Sequence, residues 1–290
     1  MIKCNTVSAI EKLLETSHYI GPIDCPEEVY RASPGVSQSD LKKFEMSPAK
    51  AVWEMEHPSK PSEAMELGSA IHCALLEPDL FDEKYILKPK FDRRTKIGKQ
   101  DAIDWEAANF GKSGLEQNDM DVVNRLAARF YNDDYFRRFF KGGKKEASFW
   151  SRDSETGLIK RCRLDNYNDE MCFLVDLKTT MCAYPPVFER DIGKYKYHIQ
   201  AAYYTDIVRE VTSHGWPFVI VAVEKTKDCD ISVHLISDAA ICHGREMYKR
   251  YLRQYAHVKK TNVIVGYEKN INVWDLPKWA DFNFENNFDF

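Results

Sequence analysis

Hydrophobic positions repeat with two different periods along the chain, and the period changes near Lys145. Upstream, apolar residues recur at helical spacing in short segments divided by capping residues and prolines. Ser39 and Ser47 are predicted helix N-caps, with Pro48 at the first helical position after the second. A longer helix is predicted over "EAMELGSAIHCALLEP", beginning after Ser62 and stopped by Pro78, and another over "DMDVVNRLAARFYND". Residues 1–35 lack a clear period and carry Pro22, Pro26 and Pro34, which predicts a short helix and an extended arm. The polar, basic stretch from Phe81 to Gly114 predicts a long surface loop.

Beyond Lys145, "EASFWSR", "GLIKRCRLDNY" and "MCFLVDLKTT" read as consecutive strands, turning at Asp153 to Gly157 and at Asn168 to Glu170. "KYKYHIQAAYYTDIVREV" predicts a helix, "PFVIVAVEK" and "DISVHLI" two more strands, and "DAAICHGREMYKRYLRQYAHV" a closing helix. This order predicts an α/β fold, a sheet with helices on its faces, preceded by a helical part. The expected division is an arm, 1–35, one domain, 36–265, and a tail, 266–290. The phenylalanines set among acids in "KWADFNFENNFDF" suit a binding segment, a subunit contact or a frayed terminus.

Composition narrows this picture. A chain of 290 residues, 44% hydrophobic and 30% charged, is large enough for a substantial core. No apolar run approaches the roughly 20 residues of a membrane span, and the start is too polar for a signal peptide, so no membrane association and a cytoplasmic location are expected. The eight cysteines form no C-x-x-C pair, which excludes the usual zinc-ribbon and iron–sulfur spacings and predicts reduced, mainly buried thiols. A net charge of −4 argues against a surface coated in positive potential, although basic residues cluster in "LKPKFDRRTKIGKQ" and "FRRFFKGGKK". Each cluster reads either as a solvated face or as a set of phosphate contacts.

The candidate chemistry lies at the end of the third strand. Asp176 and Lys178 alternate with Leu177, so the two ionisable residues share a face. With the preceding turn centred between Asp169 and Glu170, Asp165 lies opposite Leu174 and diagonal to Asp176. Two carboxylates beside an ammonium suit a hard divalent cation such as Mg²⁺, the lysine then orienting water or offsetting transition-state charge. Taken alone, "DLK" also describes a structural ion pair. His72, one turn after Gly68, reads as a ligand with room beside the imidazole or as a satisfied core residue. Gln200 and Tyr204, at i, i+4 spacing, read as a substrate-facing pair or as the polar edge of an amphipathic helix. Glu146 reads as an outer carboxylate or a surface residue.

Together these residues resemble the PD-(D/E)xK nuclease superfamily and, within it, the RecE (exonuclease VIII) C-terminal nuclease group, related to the RecB-type nucleases. The matching pieces run in order over about 35–260: Gly68 and His72 in "GSAIH", Glu146 in "EASFW", Arg163 and Asp165 in "RLD", Asp176 and Lys178 in "VDLKTT", and Gln200 and Tyr204 in "QAAYY". The resemblance implies a restriction-endonuclease-like core with a central mixed sheet flanked by helices. It also implies Mg²⁺, with Mn²⁺ as a substitute, held by His72, Asp165, Asp176 and the Leu177 carbonyl. Lys178 is the implied catalytic lysine, with Glu146, Gln200 and Tyr204 completing the catalytic site. Ser37 and Ser39 in "SQSDL" resemble the helix start beside the DNA path, and Arg163 is implied there too. Arg93, Arg94 and Lys96, in the stretch from Leu87 to Gln100, are the candidate DNA-facing wall. The implied activity is 5′ to 3′ degradation of linear double-stranded DNA, leaving 3′ single-stranded tails, by a ring-shaped tetramer working beside a RecT-like single-strand annealing protein. Such enzymes serve DNA recombination and repair and are often encoded by phages or prophages. The alternatives are a PD-(D/E)xK endonuclease of restriction or junction-resolving type, and a catalytically idle DNA-binding recombination protein.

Overall fold

A computed structural model describes residues 1–226, 228–271, 273 and 275–276. In chain order the elements are β1 (Ile2–Lys3), α1 (Val7–Thr16), β2 (Tyr19–Asp24), α2 (Glu27–Ala32), α3 (Gln38–Lys42), α4 (Pro48–Glu56), α5 (Glu63–Leu76) and α6 (Pro78–Lys84). They continue with β3 (Tyr85–Leu87), α7 (Lys96–Ala108), β4 (Ser113–Leu115), α8 (Gln117–Tyr131), α9 (Asp134–Arg137), β5 (Lys144–Arg152), β6 (Ile159–Asn168) and β7 (Phe173–Thr180). The last are α10 (Pro185–Lys194), α11 (Tyr197–Thr212), β8 (Phe218–Glu224), β9 (Ile231–Leu235) and α12 (Asp238–Thr261).

Seven strands form one mixed sheet in the order β1-β2-β5-β6-β7-β8-β9, parallel at β1/β2 and β7/β8 and antiparallel elsewhere. The unbroken apolar run of β8 follows from burial on both faces. Phe218, Ile220 and Ala222 join a core with α11 and α12, while Val219, Val221 and Val223 join one with α5 and α8. On the first face α11 is enclosed between sheet and α12, so Ala201, Ala202, Tyr203 and Ile207 are all fully buried.

Three local expectations change. Residues 1–35 hold two helices and two strands rather than one helix and an extended arm, and β2 pairs with β5 while Ile10, Ile20 and Ile23 pack against Trp150. The stretch 81–114 is not a loop: α7 fills much of it, capped by Thr95, and β3 pairs with β4 beside it. The N-cap of α3 is Ser37, not Ser39, because Ser37 and Asp40 form a reciprocal capping box. The helix α10, begun by prolines at its first turn, was not foreseen. The segment "KWADFNFENNFDF" lies outside the described residues.

The sheet forks at its centre. β6 and β7 pair through Asn166–Val175, Tyr167–Leu174 and Asn168–Phe173. Beyond that point β6 stays with β5 and β7 stays with β8. Tyr167, not Asp165, pairs with Leu174, a register two residues away from the expected one, and the ladder ends at Asn166–Val175, just before Asp165 and Asp176. The turn is longer than expected, and a shift by an even number preserves the strand faces.

Candidate active site

The fork leaves the inner edge of β7 without a neighbouring strand, and Leu177 sits where the ladder stops. Its peptide groups are taken by side chains instead. The Leu177 N–H donates to Asp165 Oδ2 at 2.6 Å, and its carbonyl lies 2.8 Å from His72 Nε2. A buried peptide needs such partners, so one main-chain position gathers an imidazole from α5 and a carboxylate from β6.

A cleft of about 700 Å³ opens over this point. Its lining includes Ser37, Ser39, His72, Glu146, Arg163, Asp165, Leu177, Lys178, Gln200 and Tyr204, so residues far apart in sequence converge. Asp176, 2% exposed, lies beneath the floor. There its Oδ1 accepts from Gln200 Nε2 at 2.6 Å, and its Oδ2 is 2.5 Å from Lys178 Nζ. Gln200 thus faces Asp176. Gly68 lets α5 approach β7, since a Cβ there would stand 3.2 Å from Thr179 Oγ1. The close neighbour is a β7 side chain rather than open room beside the imidazole.

Glu146 has a φ of 48°, in the left-handed region that side chains disfavour. Its carboxylate accepts from Arg163 Nε at 2.5 Å, and Arg163 also donates to the Cys25 carbonyl at 3.0 Å. Donor atoms of His72, Glu146 and Asp165 all lie within 4.8 Å of one another. This cluster shares His72 and Asp165 with the expected ligand set, and has Glu146 in the place expected for Asp176. Arg93, Arg94 and Lys96 do not line the cleft. Arg93 pairs with Glu106 at 3.2 Å and Arg94 with Asp92 at 2.9 Å, while Lys96 opens α7.

Unmet negative charge marks the cluster. Burial, then the Asp176 carboxylate, pushes Asp165 up to about 7. Burial, then Asp165, pushes Glu146 up to about 7. Burial and the Lys178 charge hold His72 below its ordinary value, which keeps the imidazole neutral. Burial opposes the Lys178 charge, but Asp176 and Asp165 outweigh it and raise its pKa, so the ammonium persists. A dication suits these donors: it supplies the missing charge, accepts carboxylate, carbonyl and neutral imidazole, and favours the ionised acids. A bound ion would replace the His72–Leu177 hydrogen bond, and the 2.8 Å between Nε2 and the carbonyl oxygen fits neighbouring ligands at bond lengths of about 2.0–2.2 Å.

Lys42, Tyr197, Arg161 and Tyr30 also line the cleft and were not anticipated. For Lys42 a signal existed, since it follows Ser39 by three residues on one helix and shares its face.

The family described as "PDDEXK-like domain of unknown function (DUF3799)" matches residues 37–275. A "Putative exonuclease" from Eubacterium rectale, solved by crystallography, superposes with a TM-score of 0.62 at 20% identity, over 83% of this chain and 88% of that one. That likeness shows a common fold. A further solved structure, SSO0001, aligns at 11% identity over 84% of each chain with a TM-score of 0.36. No curated protein matches the chain. The family match spans every candidate side chain from Ser37 to Tyr204 as well as the strands β5 to β9 that gather them, and by it this chain belongs to the PDDEXK-like domain family.

Proposed function

We propose that the chain is a divalent-metal-dependent exodeoxyribonuclease that digests linear double-stranded DNA 5′ to 3′ and leaves 3′ single-stranded tails. The observation that carries the metal-dependent nuclease reading is the convergence of His72, Glu146 and Asp165 within 4.8 Å, at a cleft that also presents a charged Lys178, while the duplex substrate, polarity and tails rest on the family resemblance. His72, Asp165, Glu146 and the Leu177 carbonyl would hold the metal, with Asp176 adding charge from below. The ion, Mg²⁺ or in its place Mn²⁺, would stabilise charge on phosphate and lower the pKa of water.

The chain's own residues perform the remaining tasks. Lys178 is held charged, so it acts as a donor and point charge rather than as a base, orienting water and offsetting charge at phosphorus. Asp176 anchors that ammonium, and Gln200 fixes the carboxylate through a buried hydrogen bond. Ser37 and Ser39, with hydroxyls 2.8 Å apart at the cleft rim, present polar groups to a nucleic-acid backbone. The tails would be substrates for a RecT-like single-strand annealing protein in DNA recombination.

Incubating 5′- and 3′-end-labelled linear duplex with Mg²⁺, with Mn²⁺ and with EDTA tests the reading. Early release of the 5′ label, dependent on metal and lost in Lys178→Met, is expected. A folded wild-type protein that leaves duplex intact under all metal conditions would overturn it.

A further inference from the structure

Lys42 enters the cleft from α3 and is held in place on two sides. Its ammonium donates to the Tyr195 carbonyl at 3.0 Å and lies 5.9 Å from the centroid of the Tyr197 ring. The same ring carries Lys178 at 5.2 Å. Among the described residues Lys178 has an acid partner, Asp176, whereas Lys42 forms no ion pair with any carboxylate. Two ammoniums at one ring repel each other, and only one is compensated.

The surroundings of Lys42 are built from fixed contacts. The Ser37–Asp40 capping box and the fully buried Leu41 fix α3. Lys196, at a φ of 56°, sets the Tyr195 carbonyl on one side and Tyr197 on the other. This differs from a surface lysine, whose flexible stem averages over many positions. Burial, then Lys178, lowers Lys42 to about 7, so its charge is costly there until an anion arrives.

We infer that Lys42 is a phosphate-binding residue, holding the backbone phosphate next to the one that is cleaved; this rests on the nuclease reading above. Charges recur about every 3.4 Å of axis along one strand. Two cations that share one ring lie close enough together to serve neighbouring phosphates of a strand, Lys178 the reacting one and Lys42 the next. Such a contact carries no base information, so its effect is uniform across sequences.

Binding of a short fluorescent linear duplex is measured by anisotropy with Ca²⁺ in place of Mg²⁺, over a series of salt concentrations, for wild type, Lys42→Met, Lys42→Gln and Lys42→Arg. Met keeps the stem's volume, and Gln keeps a donor for the Tyr195 carbonyl, so one reads the charge if the other folds poorly. The Met and Gln variants are expected to bind several-fold more weakly, on every sequence alike, with the slope of log Kobs against log salt smaller by about one. Arg is expected to retain the slope. In cleavage assays, Met and Gln should raise KM more than they lower kcat. Wild-type affinity and slope in folded Lys42→Met or Lys42→Gln would overturn the assignment while leaving the nuclease reading in place. Absence of binding by the wild type would remove both.

Discussion

At the scale of single residues, the site is organised around one peptide unit. The fork leaves Leu177 without a partner on its β6 side, while it stays paired with β8, and Asp165 and His72 arrive to satisfy the open side. The carboxylates so gathered carry a pH signature. Glu146 keeps its proton to about pH 7 when folded, against about 4.3 in an unfolded chain. The native state therefore binds more protons across that window, and this contribution to stability is full below it and lost as pH rises through it. In metal-free protein, Glu146→Gln should thus gain melting temperature relative to wild type as pH rises from about 4.5 to about 7. A difference that shrinks with pH would contradict the shift. Gln200 offers a second test. Removing its donor in Gln200→Leu leaves Asp176 Oδ1 without a partner and Lys178 poorly anchored, so cleavage should fall by about 10–100-fold. Urea unfolding of the same variant should show a loss of about 1–3 kcal/mol. Unaltered cleavage would mean that Gln200 does not position Asp176.

At the scale of elements, α11 delivers Gln200 and Tyr204 because α12 presses it onto the sheet. That contact depends on Gly244, where an added Cβ would stand 2.2 Å from the His198 carbonyl. Gly244→Ala should displace α12 from the start of α11, costing about 1–3 kcal/mol by urea unfolding and lowering activity with it. Gly193→Ala, with nothing near its added Cβ, serves as the control. The strands from β5 onwards and the major helices were legible because their periods are clear, and "VDLKTT" and "QAAYY" marked the chemistry. The exact register was not, since a turn two residues longer leaves the alternation of Leu174, Asp176 and Lys178 unchanged. The strands of the first 35 residues escaped because β1 is two residues long and β2 carries Gly21 and Pro22, so neither shows a strand pattern. Glu146 escaped as a member of the donor cluster because alternation does not foresee a left-handed φ within β5. Lys42 escaped although it shares a helix face with Ser39, because a lysine on a five-residue helix reads first as solvated surface, and its contact with the Tyr195 carbonyl is made across the fold.

At the scale of the whole molecule, a net charge of −4 sets a problem for the proposed exonuclease, which would have to stay on a polyanion. Long-range attraction is absent or repulsive, so attachment must come from cations inside the cleft, from enclosure, or from both. Arg31, Lys42, Lys84, Arg161, Arg163 and Lys178 line the cleft, but Arg31 is paired with Glu27, Lys84 with Glu77, Arg163 with Glu146 and Lys178 with Asp176. Few free charges remain to hold a duplex through many turnovers. Enclosure by a symmetric ring removes the difficulty, because topology limits escape when electrostatics do not. The ring-shaped tetramer that the family resemblance implies, which we propose for this chain, predicts a sedimentation mass four times the 33.7 kDa chain. Digestion already under way should continue after heparin is added, whereas heparin added first should prevent it. Closed circular duplex should be spared, since a ring loads at an end. A monomer in solution, stopped at once by heparin and still cutting linear duplex, would show that enclosure is wrong while the metal-dependent chemistry stands. Nicking of closed circles would instead move the enzyme to the endonucleases that share this fold.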